Sequence, residues 1–198
     1  MKTQQHQLSM ESDIKLKILR AAMQIVREAG WNALSMRKIA VMINCTPPAI
    51  YGYFSSKEAI RLGLARWGFL RLNQSIERAR DTSTVAIDQL ERMWSAYIVF
   101  AQEERMLYQI MFGHGMVESP ESEKCTEADM ITLTICEVIG NVPKGWNNNS
   151  EIIRRKYYLM WAMAHGASMI RQRCSPIMET SLSEWVAEWV RLSISDTD

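Results

Sequence analysis

Residues 43–60 read INCTPPAIYGYFSSKEAI. The stretch starts like a short helix, yet two prolines open it, a glycine sits in its middle and two tyrosines stand among apolar residues. Thr46 is the expected N-cap, its hydroxyl accepting from the Ala49 amide. Pro47 at the first helical position costs nothing, because the amide it lacks would be unpaired there. Pro48 is less comfortable, since proline disfavours helical geometry in the residue before it. Ile50 and Phe54, four apart, form the inward face. Pro48, Ala49 and Gly52 are small, so backbone can come close to another molecule. Tyr51 and Tyr53 carry hydroxyl tips suited to phosphate oxygens, and Lys57 adds a cation where the next helix aims free amides outward.

The residues on either side give this helix its context. A first helix is expected over Asp13 to Ala29, with Ile14, Ile18, Ala22, Ile25 and Ala29 on one face and Gly30 ending it. A second is expected over Met36 to Ile43, capped by Ser35 and burying Ile39, Ala40 and Ile43. Asn44 and Cys45 leave only a very short turn, and Asn tolerates the left-handed backbone such a turn needs. Two short helices, a tight turn and a helix behind them make a helix-turn-helix, in which the second short helix enters the DNA major groove. Arg37 and Lys38, at the start of helix 2, are placed to touch phosphate.

Charge supports that reading. Residues 1–80 hold 13 Lys/Arg against 5 Asp/Glu, a net of +8, while residues 81–198 hold 10 against 17, a net of −7. A basic front half suits a nucleic-acid partner. The 198 residues are 47% hydrophobic and 23% charged, ordinary for a globular chain with a sizeable core. The longest nearly apolar run, Tyr157 to Ile170, spans 14 residues, too short to cross a bilayer. No leader pattern opens the chain, so a cytoplasmic location is expected. Four cysteines, at 45, 125, 136 and 174, form no C-x-x-C pair and read as free thiols.

Beyond residue 60 the apolar spacing stays helical. Helix 4 is expected from Ser56 to about Arg80, with a polar break at Thr82 to Thr84. Five more helices are expected: Val85 to Ala101, Glu104 to Phe112, Pro120 to Ile139, Glu151 to Gln172 and Leu182 to Ser193. Ser181-Leu182-Ser183-Glu184 reads as a capping box for the last. Trp185 and Trp189, with Leu182, Val186 and Val190 alongside, form an apolar stripe wide enough to suggest pairing with a second copy. The back half is rich in Trp, Met, Tyr and Phe, which suit either a plain helical core or an adaptable apolar cavity. His114 and His165 have no His or Cys at i+3 or i+4, so no metal site is expected. No paired carboxylates, nucleophile and base, metal cluster or phosphate loop are recognisable, which argues against an all-helical enzyme.

The segment LSMRKIAVMINCTPPAIYGYFSSKEAI, residues 34–60, resembles the DNA-binding signature of the tetracycline-repressor (TetR) family of bacterial regulators. The matching residues are Ser35, Ile39-Ala40, Asn44-Cys45, Thr46, Tyr51, Tyr53, Phe54 and Ser56-Lys57-Glu58, with Gly30-Trp31 before them. Pro48, Ala49 and Gly52 depart from the usual small residue, Thr and long polar residue. The segment LMWAMAHGASMI, with Trp161, His165 and Gly166, resembles a Trp/His-Gly C-terminal type in that family, and EERMLYQIMFG resembles its helix 6 region.

The resemblance implies an all-α fold of about nine helices. Residues 1–60 form a helix-turn-helix domain with a flexible lead-in over 1–11. A long helix 4 joins it to residues 61–198, which bind a ligand and dimerise. It implies a repressor: a homodimer, paired through its last two helices, that leaves a near-palindromic operator when a small effector binds. The DNA-binding residues are then Ser35, Arg37, Lys38, Thr46, Pro47, Pro48, Ala49, Tyr51, Gly52, Tyr53 and Lys57. Trp94, Tyr97, Phe112, Trp161 and His165 are the expected walls for an apolar or aromatic effector. No cofactor and no membrane partner are implied. A DNA-binding architectural protein without an effector is the other nucleic-acid reading.

Overall fold

The structure, a computed structural model, describes residues 2–113, 126–143, 149–173 and 181–195, with side chains described from Asp13 to Arg171 and over 181–195. Among these residues the chain is all helical. The α-helices are α1 (Lys2–Ala29), α2 (Met36–Met42), α3 (Pro47–Tyr51), α4 (Lys57–Arg80), α5 (Ala86–Glu103), α6 (Arg105–Phe112), α7 (Thr126–Gly140), α8 (Ser150–Arg173) and α9 (Leu182–Ile194), with a 3-10 turn over Trp31–Ala33. Pro120 to Cys125, expected as the start of a helix, lie outside the described residues, as do His114 and Cys174.

Local chemistry explains most of the boundaries. Ser35 Oγ accepts from the Lys38 amide at 3.2 Å and Ser56 Oγ accepts from the Ala59 amide at 3.0 Å, so both serines cap their helices. Gly30, at φ 76°, ends α1 in a backbone conformation that L side chains rarely adopt. The structure departs from expectation at the front. Helix α1 begins at Lys2 rather than near Asp13, so residues 2–11 are helical. Lys, Gln, Leu, Met and Glu are good helix formers, and no Gly or Pro interrupts them. The capping box at Ser181 does not form: its hydroxyl lies 2.7 Å from that of Ser183 and makes no cap bond.

One continuous apolar core runs through the molecule. At the front, Ile18, Ala22 and Ile25 of α1 close on Ile39 and Ala40 of α2 and Ile50 of α3, all buried. Ala29, expected on that inner face, is exposed. Gly63 of α4 makes room for Phe54: a Cβ there would stand 2.8 Å from Phe54 Cε1. Helix α4 then packs against α5, α6 and α7, and α5 in turn against α8 and α9.

The stripe on α9 has a different role from the one expected. Trp189 is 2% exposed and sits against Trp94 of α5, ring centroids 5.7 Å apart, while Val186 and Val190 are fully buried. Trp185 is half-buried and edges onto Trp189. This apolar face therefore docks within its own chain. An amphipathic stripe has the same sequence pattern whichever chain supplies the surface beneath it.

Candidate nucleic-acid interface and ligand cavity

The turn between α2 and α3 is a Schellman motif. Asn44 takes φ 55°. The Cys45 amide donates to the Ala40 carbonyl at 2.8 Å and the Asn44 amide to the Val41 carbonyl at 3.2 Å. These bonds satisfy the end of α2 and redirect the chain within two residues.

Helix α3 is five residues long, and Gly52 is its C-cap rather than its middle. Thr46 stands at the N-cap, but its hydroxyl makes no cap bond. Pro47 and Pro48 have no amide hydrogen, so Ala49 is the first free donor, and it bonds the Thr46 carbonyl at 3.0 Å instead. The Thr46 side chain is thus left exposed and uncommitted to the helix.

Ile50, 1% exposed, anchors α3 to the core. Thr46, Pro48, Ala49, Tyr51 and Gly52 are exposed, Tyr51 by 55%, while Pro47 is half-buried. Tyr53 is half-buried against the core, so it stands apart from the exposed set. Lys57 Nζ lies 5.2 Å from the Trp31 ring centroid, a cation–π contact that fixes the ammonium beside the start of α4. Trp31 had no part in the sequence-based site, although the Gly-Trp pair was visible. Ser35 spends its acceptor on the α2 cap and keeps a hydroxyl proton to donate. Arg37 and Lys38 are exposed, without an ion-pair partner among the described residues. They line a shallow groove with Ile25 and Glu28 of α1 and with Val41 and Met42 of α2.

The second site is a cavity of about 260 Å³ between α4, α5, α6, α7 and α8. Tyr97, Phe112 and Trp161 line it. Trp94 does not: it is fully buried among Tyr97, Tyr157 and Trp189. His165 lies behind the wall, its ring 5.0 Å from Phe112 and 5.7 Å from Trp161. The sequence reading missed Phe69 and Leu72 on α4, Asp129 and Thr132 on α7, and Tyr157 on α8. The spacing of Tyr157 and Trp161, four apart on one helix face, is the signal that could have found the last.

A hydrogen-bonded chain backs the cavity. Trp161 Nε1 donates to Tyr97 Oη at 3.2 Å, Tyr97 Oη lies 3.0 Å from Tyr108 Oη, and Tyr108 Oη lies 2.6 Å from His165 Nδ1. Trp can only donate. Every hydroxyl is satisfied if the chain runs one way, from Trp161 to a neutral His165 accepting at Nδ1. The protonation tendencies agree with that direction. Burial lowers the His165 pKa, favouring the neutral ring. Burial pushes the Tyr108 hydroxyl up to about 12, and burial with the neighbouring Tyr108 holds Tyr97 well above the usual tyrosine range. Among the described residues no group of three or more His, Cys, Asp or Glu could hold a metal, and no helix is long and apolar enough to cross a membrane.

Solved structures share this fold. A Rhodococcus sp. RHA1 protein of unknown function superposes with a TM-score of 0.74 at 20% identity, covering 91% of this chain and 93% of that one. The TetR family regulator PfmR from Thermus thermophilus gives 0.61 at 17% identity, covering 91% and 98%. The fatty acid degradation regulator FadR from Bacillus halodurans gives 0.68 at 17%, covering 92% and 95%. At these identities the likeness establishes the fold. In sequence, the HTH-type transcriptional activator FasR of Mycolicibacterium smegmatis is 25% identical over 120 residues, which are 57% of this chain and 55% of that protein. The match thus spans about half the length of that relative. Residues 18–64, from the buried face of α1 through the turn and α3 into α4, match the model for bacterial regulatory proteins of the tetR family.

Proposed function

We propose that the protein is a homodimeric transcription regulator that binds a near-palindromic operator and is released from it by a small, largely apolar effector. The observation that carries this reading is the exposed face of α3, held from behind by buried Ile50 and aimed by the two-residue turn. Residues 1–60 form the DNA-reading unit and residues 61–198 the effector and dimer unit. Tyr51, Thr46, Ser35, Arg37, Lys38 and Lys57 contact phosphates and set register. Pro48, Ala49 and Gly52 approach base edges, where Pro and Ala can touch thymine methyls but offer no side-chain hydrogen bonds. Half-sites one helical turn apart demand two copies of the reader.

The dimer forms through the outward faces of α8 and α9. Leu159, Ala162, Gly166 and Ile170 recur at helical spacing on α8; Leu159 is 50% and Ile170 55% exposed, and a Cβ on Gly166 would meet nothing within 4 Å. Leu192 on α9, 63% exposed, extends the patch. Small residues between larger apolar ones let a partner helix come close.

The test is a footprint on the DNA flanking the protein's own gene, repeated with candidate effectors. Protection of a two-fold site that disappears with an apolar ligand supports the proposal, and no protection at any flanking site refutes it. The name of the FasR relative favours activation as a second reading. A footprint upstream of the promoter, with reporter output falling when the gene is deleted, would select it.

A further inference from the structure

We infer that the cavity between α4, α7 and α8 selects a small organic cation, a quaternary or protonated amine carrying apolar groups. This rests on reading the cavity as the effector site. Its wall is aromatic: Phe69, Phe112, Tyr157, Tyr158 and Trp161 all line it. The faces of such rings carry negative potential and attract a cation laid over them. One formal charge lines the cavity, the carboxylate of Asp129; no Lys, Arg or His does so among the described residues. Asp129 is exposed and has no ion-pair partner among the described residues, whereas Glu127 nearby faces Arg66 at 4.0 Å.

Tyr97, Thr132 and Tyr157 on the wall are already engaged. Tyr97 Oη accepts from Trp161 and meets Tyr108, and Thr132 Oγ1 donates to Tyr157 Oη at 3.0 Å. Asp129 is thus the charged group left to meet a ligand. A carboxylate ligand would face repulsion from Asp129 and from the ring faces, with no cation to offset either. A neutral apolar ligand would fill the space and leave the carboxylate unused. At about 260 Å³ the cavity lies below the ~300–1,000 Å³ of sites for drug-sized molecules, so the ligand is small.

The experiment is a tryptophan-fluorescence titration of the full chain with three probes of similar shape: benzyltrimethylammonium, its uncharged carbon isostere neopentylbenzene, and phenylacetate. The expected result is saturable quenching by the cation, binding weaker by roughly tenfold for the neutral isostere, and none for the anion. Asp129→Asn should weaken the cation by roughly three- to fivefold, the scale of a solvent-facing charge pair. Tyr158→Leu should do so by a similar factor, and should weaken the neutral isostere less than the cation, while Asp129→Asn should leave the isostere's binding nearly unchanged. These two side chains are exposed, so folding is not at risk. Equal binding of the neutral isostere, tighter binding of phenylacetate, or an Asp129→Asn variant that binds the cation normally would overturn the inference and leave the cavity standing as an apolar effector site. Failure of all three probes to bind would refute the inference and the effector reading together.

Discussion

The two faces of the C-terminal helices predict opposite outcomes when each is disrupted. In Leu159→Glu/Ile170→Glu, two half-exposed side chains on α8 become charged. In the monomer each change is a surface substitution, expected to cost within about 0.5 kcal/mol. At a two-fold interface both changes appear twice, so four carboxylates lose water without partners. Several kcal/mol for each such ion is enough to abolish association at micromolar concentration. Trp189→Ala strikes the inner face, where the ring is 2% exposed against Trp94. Emptying that site should cost about 3–5 kcal/mol of fold stability. For a chain of this length that lowers Tm by roughly 6–20 °C, at about 2–4 °C per kcal/mol. Sedimentation and circular dichroism separate the cases. The α8 variant should sediment as a helical monomer with little operator affinity, and Trp189→Ala should melt early while its folded fraction stays dimeric. If the monomer alone cannot fold, the wild-type Tm should rise with protein concentration. An α8 variant that remains a folded dimer would refute the assignment of the interface to this face.

Tyr51→Phe should weaken operator and random DNA alike, by about 1 kcal/mol for one hydrogen bond, measured by competition gel shift; loss on the operator alone would show that Tyr51 reads a base. Ser35→Ala and Ser56→Ala should each cost about 1 kcal/mol in denaturant unfolding, because both hydroxyls accept cap bonds. Thr46→Ala should cost under about 0.5 kcal/mol in the same assay while reducing DNA affinity, since its hydroxyl holds no amide. Burial lowers the His165 pKa from 6.5, so the unfolded chain takes the proton first and stability should fall as pH drops below that value. Tyr108 works in the opposite direction: its hydroxyl is raised from 10.0 to about 12, so its contribution is present below pH 10 and lost as pH rises between those values. Thermal melts across pH, compared with His165→Asn and Tyr108→Phe, check both limbs.

What the sequence disclosed was largely local. The cap at Ser35, the left-handed Asn44 and the stop at Gly30 depend on residues within one turn of each other, and each is present as read. Thr46 failed through competition: with two prolines removing donors, the Ala49 amide went to the Thr46 carbonyl instead of its hydroxyl. The aromatic back half was harder. The sequence reading placed Trp94 on the cavity wall and left out Tyr157, yet Trp94 is sealed in the core and Tyr157 faces the cavity. That distinction depends on how α5 and α8 cross, which is settled by contacts between distant segments. The same limit explains Trp189, whose stripe meets α5 of its own chain.

Helix α6 joins the two sites. At its C-terminal end Phe112 forms part of the cavity wall. At its N-terminal end Glu104 caps the junction with α5, and its carboxylate holds both Arg27 of α1 and, at 2.8 Å, Arg71 of α4. Between them Met111 lies against Gly68 of α4 so closely that a Cβ there would be 2.5 Å from its sulfur. Eight residues of helix span only about 12 Å, so a shift at Phe112 has little room to be absorbed before it reaches Glu104. Contacts alone do not make a switch, however. A ligand moves the reading heads only by binding one arrangement of α6 better than another. Both ion pairs face solvent in part, so each holds its arrangement by about 1 kcal/mol or less, within the range a modest ligand preference can outweigh.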